Sequence, residues 1–131
     1  MKQIMFPELD KPLRFYAVVP TADWVVRMVA AGADTIQLRN KDLKGENLLR
    51  EIERSVAACE GTQTSLFIND YWREAVLTGA YGVHLGQEDM NDADLVAIAE
   101  AGLRLGLSTH SVLELERALS VSPSYVASGA I

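Results

Sequence analysis

Short apolar runs alternate with helix-period segments along almost the whole chain. Six runs read as strands: "FYAVV" (15–19), "TIQLR" (35–39), "SLFIN" (65–69), "YGVHL" (81–85), "LRLGLS" (103–108) and "YVASGA" (125–130). Between them, "ADWVVRMVAA", "ENLLREIERSVAA", "YWREAVLT", "DADLVAIAEA" and "SVLELERALS" place apolar residues three and four apart, as one face of a helix requires. Thr21 stands at an N-cap position, and Ser111 with Glu114 three residues later spells a capping box. Gly32, Gly79 and Gly102 each follow a predicted helix, where glycine supplies the left-handed turn that ends it. The result is a βα unit repeated about five times plus a sixth strand. Such alternation implies a parallel sheet with right-handed crossovers.

Two α/β architectures fit, a doubly wound open sheet and a (β/α)8 TIM-type barrel. Neither the Rossmann fingerprint nor a P-loop is present. Gln37 and Arg39 share one face of their strand, because side chains alternate with period two. A strand covered by helices on both sides would be apolar on both faces, so a polar inner face near a strand's C-terminal end favours the barrel. A complete barrel needs about 200–250 residues. The 131 residues therefore predict an incomplete one, with about six strands and five helices. Residues 1–131 read as one domain, in which 1–13 form an N-terminal arm.

Composition narrows the partners. A net charge of −6 opposes nucleic-acid binding, which needs a basic face. A single cysteine excludes an internal disulfide framework, and with two histidines it does not make a typical zinc site. Cys59 lies in a helical pattern and reads as a buried small hydrophobe. No apolar run approaches the roughly 20 residues of a membrane span, and no signal-peptide core precedes the first strand. A cytoplasmic protein with small-molecule partners is expected, with a homo-oligomer left open.

The candidate chemistry gathers where strands end: "QLRNKD", "INDYW", "HLGQEDM" and "GLSTH" follow strands two to five. A parallel barrel brings these ends to one rim. Arg39 and Lys41 suit phosphate oxygens, one through a planar fork and the other as a point charge, or else form a solvated basic loop. Asp70 and Asp89 beside those cations suit Mg²⁺, which takes few protein carboxylates and fills its shell with water and phosphate. Each also stands before a helical run and reads equally as an N-cap, and Glu88 is a second candidate ligand. Asn69 and Ser108 can bind a polar heterocycle or a phosphate, or simply close a turn and a strand. His84 reads as a hydrogen-bonded core histidine, and no nucleophile–base–orienter set is present. From the residues alone, the expectation is a phosphate-handling barrel rim.

The strings "QLRNKD", "LFINDYWREAV", "AYGVHLGQEDM", "AGLRLGLSTH" and "PSYVASGAI", in this order, resemble the thiamine phosphate synthase family from about Phe15 onward. They correspond to roughly the first three-fifths of the usual family chain. The resemblance implies a (β/α)8 barrel transferase of thiamine biosynthesis. It would join 4-amino-5-hydroxymethyl-2-methylpyrimidine diphosphate to a thiazole phosphate and release pyrophosphate. By motif, Gln37, Leu38, Arg39, Asn40 and Lys41 would contact the pyrimidine diphosphate, with Arg39 and Lys41 acting on its phosphates. Asn69 and Ser108 would also bind that substrate, and Asp70 and Asp89 would hold Mg²⁺. The family's later thiazole-phosphate loops have no counterpart here, and "SGAI" replaces the more usual "GHVF"-like ending. A partial sequence is therefore expected. Two alternatives are a non-catalytic module that binds pyrimidine diphosphate with Mg²⁺ and a protein like the related thiazole tautomerase.

Overall fold

The computed structural model describes residues 4–129. Six parallel strands, β1 (Tyr16–Val19), β2 (Thr35–Leu38), β3 (Ser65–Asn69), β4 (Gly82–Leu85), β5 (Arg104–Thr109) and β6 (Tyr125–Ser128), pair in sequence order. The helices are α1 (Ala22–Ala30), α2 (Gly45–Cys59), α3 (Trp72–Thr78), α4 (Gln87–Asp92), α5 (Leu95–Glu100) and α6 (Val112–Leu119). The two edge strands of a flat six-stranded sheet would stand roughly 24 Å apart, at about 4.8 Å per step. Yet the rings of Tyr16 on β1 and Tyr125 on β6 lie 5.8 Å apart, centroid to centroid. The sheet is curled into a half-barrel.

Strand alternation divides the sheet into two faces. Ile36, Leu38, Leu66, Ile68, Val83, Leu85, Leu105 and Leu107 pack beneath the helices, against Val25, Ile52 and Ile98, and make the main core. The other face lines the concave side. Phe67 sits there among Tyr16, Tyr81 and Tyr125, with centroid separations of 6.2, 5.6 and 5.1 Å. Glycines on the neighbouring strands make room for these rings. A Cβ on Gly106 would overlap the Tyr125 ring, and one on Gly82 would come within 2.5 Å of Phe67 Cε1.

Residues 4–14 contain no helix or strand, yet they are tied to the N-terminal ends of the strands. Arg104 donates to Glu8 O at 3.1 Å and to Asp10 Oδ1 at 2.8 Å, while its guanidinium lies 4.2 Å from the Tyr81 ring centroid. Ser124 Oγ donates to Pro7 O at 2.6 Å. The arm thus occupies one end of the half-barrel and leaves the rim at the C-terminal strand ends to the polar loops.

The expected strands are all present, with ends shifted by one or two residues; Ala130 at the end of the last lies outside the described residues. Thr21 caps α1 through Trp24 N–H at 3.2 Å, and Gly79 ends α3 in the left-handed region at φ 71°. Only half the capping box forms as its pattern suggests. Ser111 Oγ accepts from Glu114 N–H at 3.1 Å, but Glu114 accepts from His110 N–H instead of from the cap residue. The expected helix over "DADLVAIAEA" begins only at Leu95, capped by Asp94. Just before it, α4 supplies a sixth helix where a loop was expected, because six residues are too few to show a helical period. Cys59 is half-buried against the core, and burial pushes its thiol up to about 11.

Candidate active site

The rim brings together an ammonium and two carboxylates from three separate loops. Lys41 follows β2, Asp70 follows β3, and Asp89 lies in the first turn of α4 beyond β4. Lys41 Nζ pairs with Asp70 Oδ2, and Asp89 is within hydrogen-bonding reach of Asp70. Burial raises the Asp89 pKa first; the hydrogen bond to Asp70 and the charges of Asp70 and Glu88 raise it further, against the pull of Lys41.

Neither carboxylate is a helix cap. The N-cap residues of α3 and α4 are Tyr71 and Gly86, and neither helix start has a side-chain cap bond. Asp70 adopts φ 68°, a left-handed conformation that aspartate tolerates better than most residues. Its N–H bonds to His84 O at 2.9 Å, which locks the β3 turn onto β4. A cleft of about 420 Å³ opens here, lined by Asp70, Asp89, Glu74 and Asp92 together with Trp72 and Arg73.

Asn69, at the end of β3, is 2% exposed, and its Nδ2 has no hydrogen-bond partner among the described residues. An orphaned buried amide costs about 1–3 kcal/mol, so a donor is held ready beside Asp70. No group of three or more His, Cys, Asp or Glu residues forms a metal cage among the described residues. Two facing carboxylates, one already reluctant to ionise, are nevertheless the donor set that Mg²⁺ suits, since most of its remaining ligands are water and phosphate. These residues fit the ion.

Along the concave face runs a second constellation. Gln37 Nε2 donates to Tyr16 Oη at 3.0 Å, and Tyr16 Oη pairs with Tyr125 Oη. Tyr125 Oη meets His84 Nδ1 at 2.6 Å, and His84 Nε2 meets Ser108 Oγ at 2.5 Å. Burial holds the His84 pKa down at about 4, with Asp70 pulling it up and Arg39 pushing it down. The imidazole is neutral at physiological pH, a hydrogen-bonded histidine as the sequence suggests. Gln87 Nε2 fixes the strand end by donating to Ser108 O at 2.9 Å.

The other expected residues divide by role. The Arg39 side chain is exposed at the rim and has no ion-pair partner among the described residues. Leu38 is 2% exposed in the helix-covered core. Asn40 organises its own loop, accepting from Asp42 N–H at 2.9 Å and Leu43 N–H at 2.8 Å and donating to Pro20 O at 2.9 Å. The Leu38 side chain is thus turned away from the rim, and the Asn40 amide is engaged mainly with its own loop. Sequence reasoning missed Tyr16, Tyr125 and Gln87. For the tyrosines a signal existed, since each occupies an inward position of its strand.

A family model described as Thiamine monophosphate synthase matches residues 15–131. The thiamine-phosphate synthase of Neisseria meningitidis serogroup B is 75% identical over 126 residues, covering 96% of this chain and 62% of that protein. The Serratia proteamaculans enzyme of the same name is 50% identical, with 96% and 59% covered. The chain thus spans about three-fifths of the length of these relatives. Among solved structures, thiamine phosphate pyrophosphorylase from Pyrococcus furiosus aligns at TM-score 0.80 and 25% identity, over 91% of this chain and 61% of that one. The DHDPS of Cyanidioschyzon merolae, at 14% identity and TM-score 0.54, shares the fold. The match over residues 15–131 places the chain in the thiamine monophosphate synthase family.

Proposed function

We propose that the chain carries the pyrimidine- and diphosphate-binding part of a thiamine phosphate synthase. Such an enzyme joins 4-amino-5-hydroxymethyl-2-methylpyrimidine diphosphate to a thiazole phosphate and releases pyrophosphate. The observation that carries the reading is the convergence of Lys41, Asp70 and Asp89 beside the orphaned amide of Asn69. In this reading Asp70 and Asp89 hold Mg²⁺, which when bound offsets charge on the diphosphate. Arg39 and Lys41 neutralise its outer oxygens. Asn69 donates its free amide hydrogen, while Gln37, Ser108 and the backbone at Leu38 and Asn40 line the pyrimidine end.

The chemistry asks little else of the protein. The carbon–oxygen bond to the diphosphate breaks, and its electron pair leaves with pyrophosphate. The pyrimidinylmethyl carbon becomes positive, supported by the amino group of the ring. The thiazole nitrogen then supplies the pair for the new carbon–nitrogen bond. No protein nucleophile takes part in this reaction: the leaving pyrophosphate and the attacking nitrogen both belong to the substrates. Loss of one preorganised charge contact in such a site commonly adds about 3 kcal/mol to the barrier. A cytoplasmic setting suits this substrate and the single cysteine, and no described helix is long and apolar enough to cross a membrane.

Titration calorimetry of the chain with the pyrimidine diphosphate tests the reading. Binding is expected with Mg²⁺ and should be lost when the ion is chelated. Absence of binding, or binding indifferent to Mg²⁺, overturns it. Turnover with the thiazole phosphate added would show whether residues beyond this chain are needed for the second substrate.

A further inference from the structure

Five side chains from five strands form one continuous line of hydrogen bonds on the concave face: Gln37, Tyr16, Tyr125, His84 and Ser108. The proton bookkeeping along that line has a direction. The Gln37 amide nitrogen can only donate, so Tyr16 Oη accepts from it. The Tyr16 proton then goes to Tyr125, the Tyr125 proton to His84 Nδ1, and the imidazole proton sits on Nε2 facing Ser108 Oγ. The reverse order beyond Tyr16 would strand the Tyr16 proton in a partly buried site. Only the forward order uses every proton, and it leaves one donor free, the hydroxyl hydrogen of Ser108. Ser108 is half-buried at the C-terminal end of β5, and so within reach of a ligand at the rim.

We propose that Tyr16, Tyr125 and His84 are positioning residues for the aminopyrimidine. With Gln37 and Ser108 they form a one-way chain whose last proton is offered by Ser108 Oγ to a ring nitrogen of the substrate. The inference rests on the function proposed above and extends it to how the heterocycle is recognised. Gly106 supports it independently. A glycine inside a strand weakens that strand, and this one leaves open the space the Tyr125 ring occupies. His84, 6% exposed, is held by two hydroxyls, Tyr125 Oη on Nδ1 and Ser108 Oγ on Nε2, so its ring links the two ends of the line in one fixed orientation.

Two measurements decide it. Nitrogen-15 NMR of the unmodified chain, which has two histidines, should show His84 as the Nε2–H tautomer; an Nδ1–H tautomer overturns the stated direction. Tyr125→Phe removes one hydroxyl and should weaken Mg²⁺-dependent binding of the pyrimidine diphosphate about tenfold, or about 1.4 kcal/mol, while leaving that of inorganic pyrophosphate unchanged. Equal weakening of both ligands, or of neither, overturns the positioning role. Failure of the unmodified chain to bind either ligand removes the proposed function and with it the substrate end of the relay. The tautomer, read without ligand, tells that failure apart from failure of the relay.

Discussion

Asp70 shows how one residue can be placed against its own backbone preference. At φ 68° it occupies a region where most side chains are strained, and it does so without capping the helix that follows. What it gains is contact with Lys41 and Asp89. Asp70→Asn keeps a side chain that tolerates the left-handed turn and removes the charge. It should lower Mg²⁺-dependent pyrophosphate binding at least tenfold with little change in melting temperature, because no cap worth about 1 kcal/mol is lost. A drop of several degrees with binding intact would show that the carboxylate serves the fold. Gly106 makes the complementary case, since there the absence of a side chain matters. Gly106→Ala should destabilise by about 1–3 kcal/mol, because the added methyl overlaps the Tyr125 ring; thermal melts without ligand would measure it.

Between elements, Asp34 fastens the start of β2 to the start of β1. Its carboxylate accepts from Phe15 N–H at 2.5 Å, from Arg14 N–H at 3.1 Å and from Thr35 Oγ1 at 2.8 Å. Burial alone would raise its pKa, but these bonds outweigh that and bring it from 3.8 to about 2. A carboxyl whose folded pKa is depressed stabilises fully above its unfolded value, and that contribution is lost as pH falls toward the folded one. Asp34→Asn should therefore melt at a lower temperature than the parent at pH 7. The gap should close between pH 3.8 and about 2. A gap that persists at the acid end would mean that shape matters here and charge does not. The short α4 belongs to this scale too. Its first turn directs Asp89 toward Asp70, and Gln87 on the same turn reaches across to β5.

For the molecule as a whole, the curl of the sheet leaves β1 and β6 as its two edges, each paired on one side only among the described residues. Val18 is 55% exposed on the β1 edge, and all of β6 is at least partly exposed. Edges of this kind invite pairing with another chain. Light scattering of this 131-residue chain should show association that grows with concentration, and Val18→Lys should reduce it. A monomer at every concentration would show that the tyrosine contact across the half-barrel and the arm beneath it protect the edges.

The order of elements was legible in the chain itself. Period-two runs, helix-period segments and a glycine after each of three helices specify a repeated βα unit, because burial and termination act within a few residues of the chain. The rim residues were legible for a similar reason: Gln37, Asn69 and Ser108 put polarity at strand ends where packing alone would favour apolar groups. Two things depended on the folded form. Whether Asp70 and Asp89 cap helices or face each other is set by how the β3 and β4 loops meet, a separation no local pattern encodes. The line from Gln37 to Ser108 joins residues up to 109 positions apart. It exists only because curling the sheet brings its two edges together, and each hydrogen bond in it depends on ångström-scale distances that period and composition do not carry.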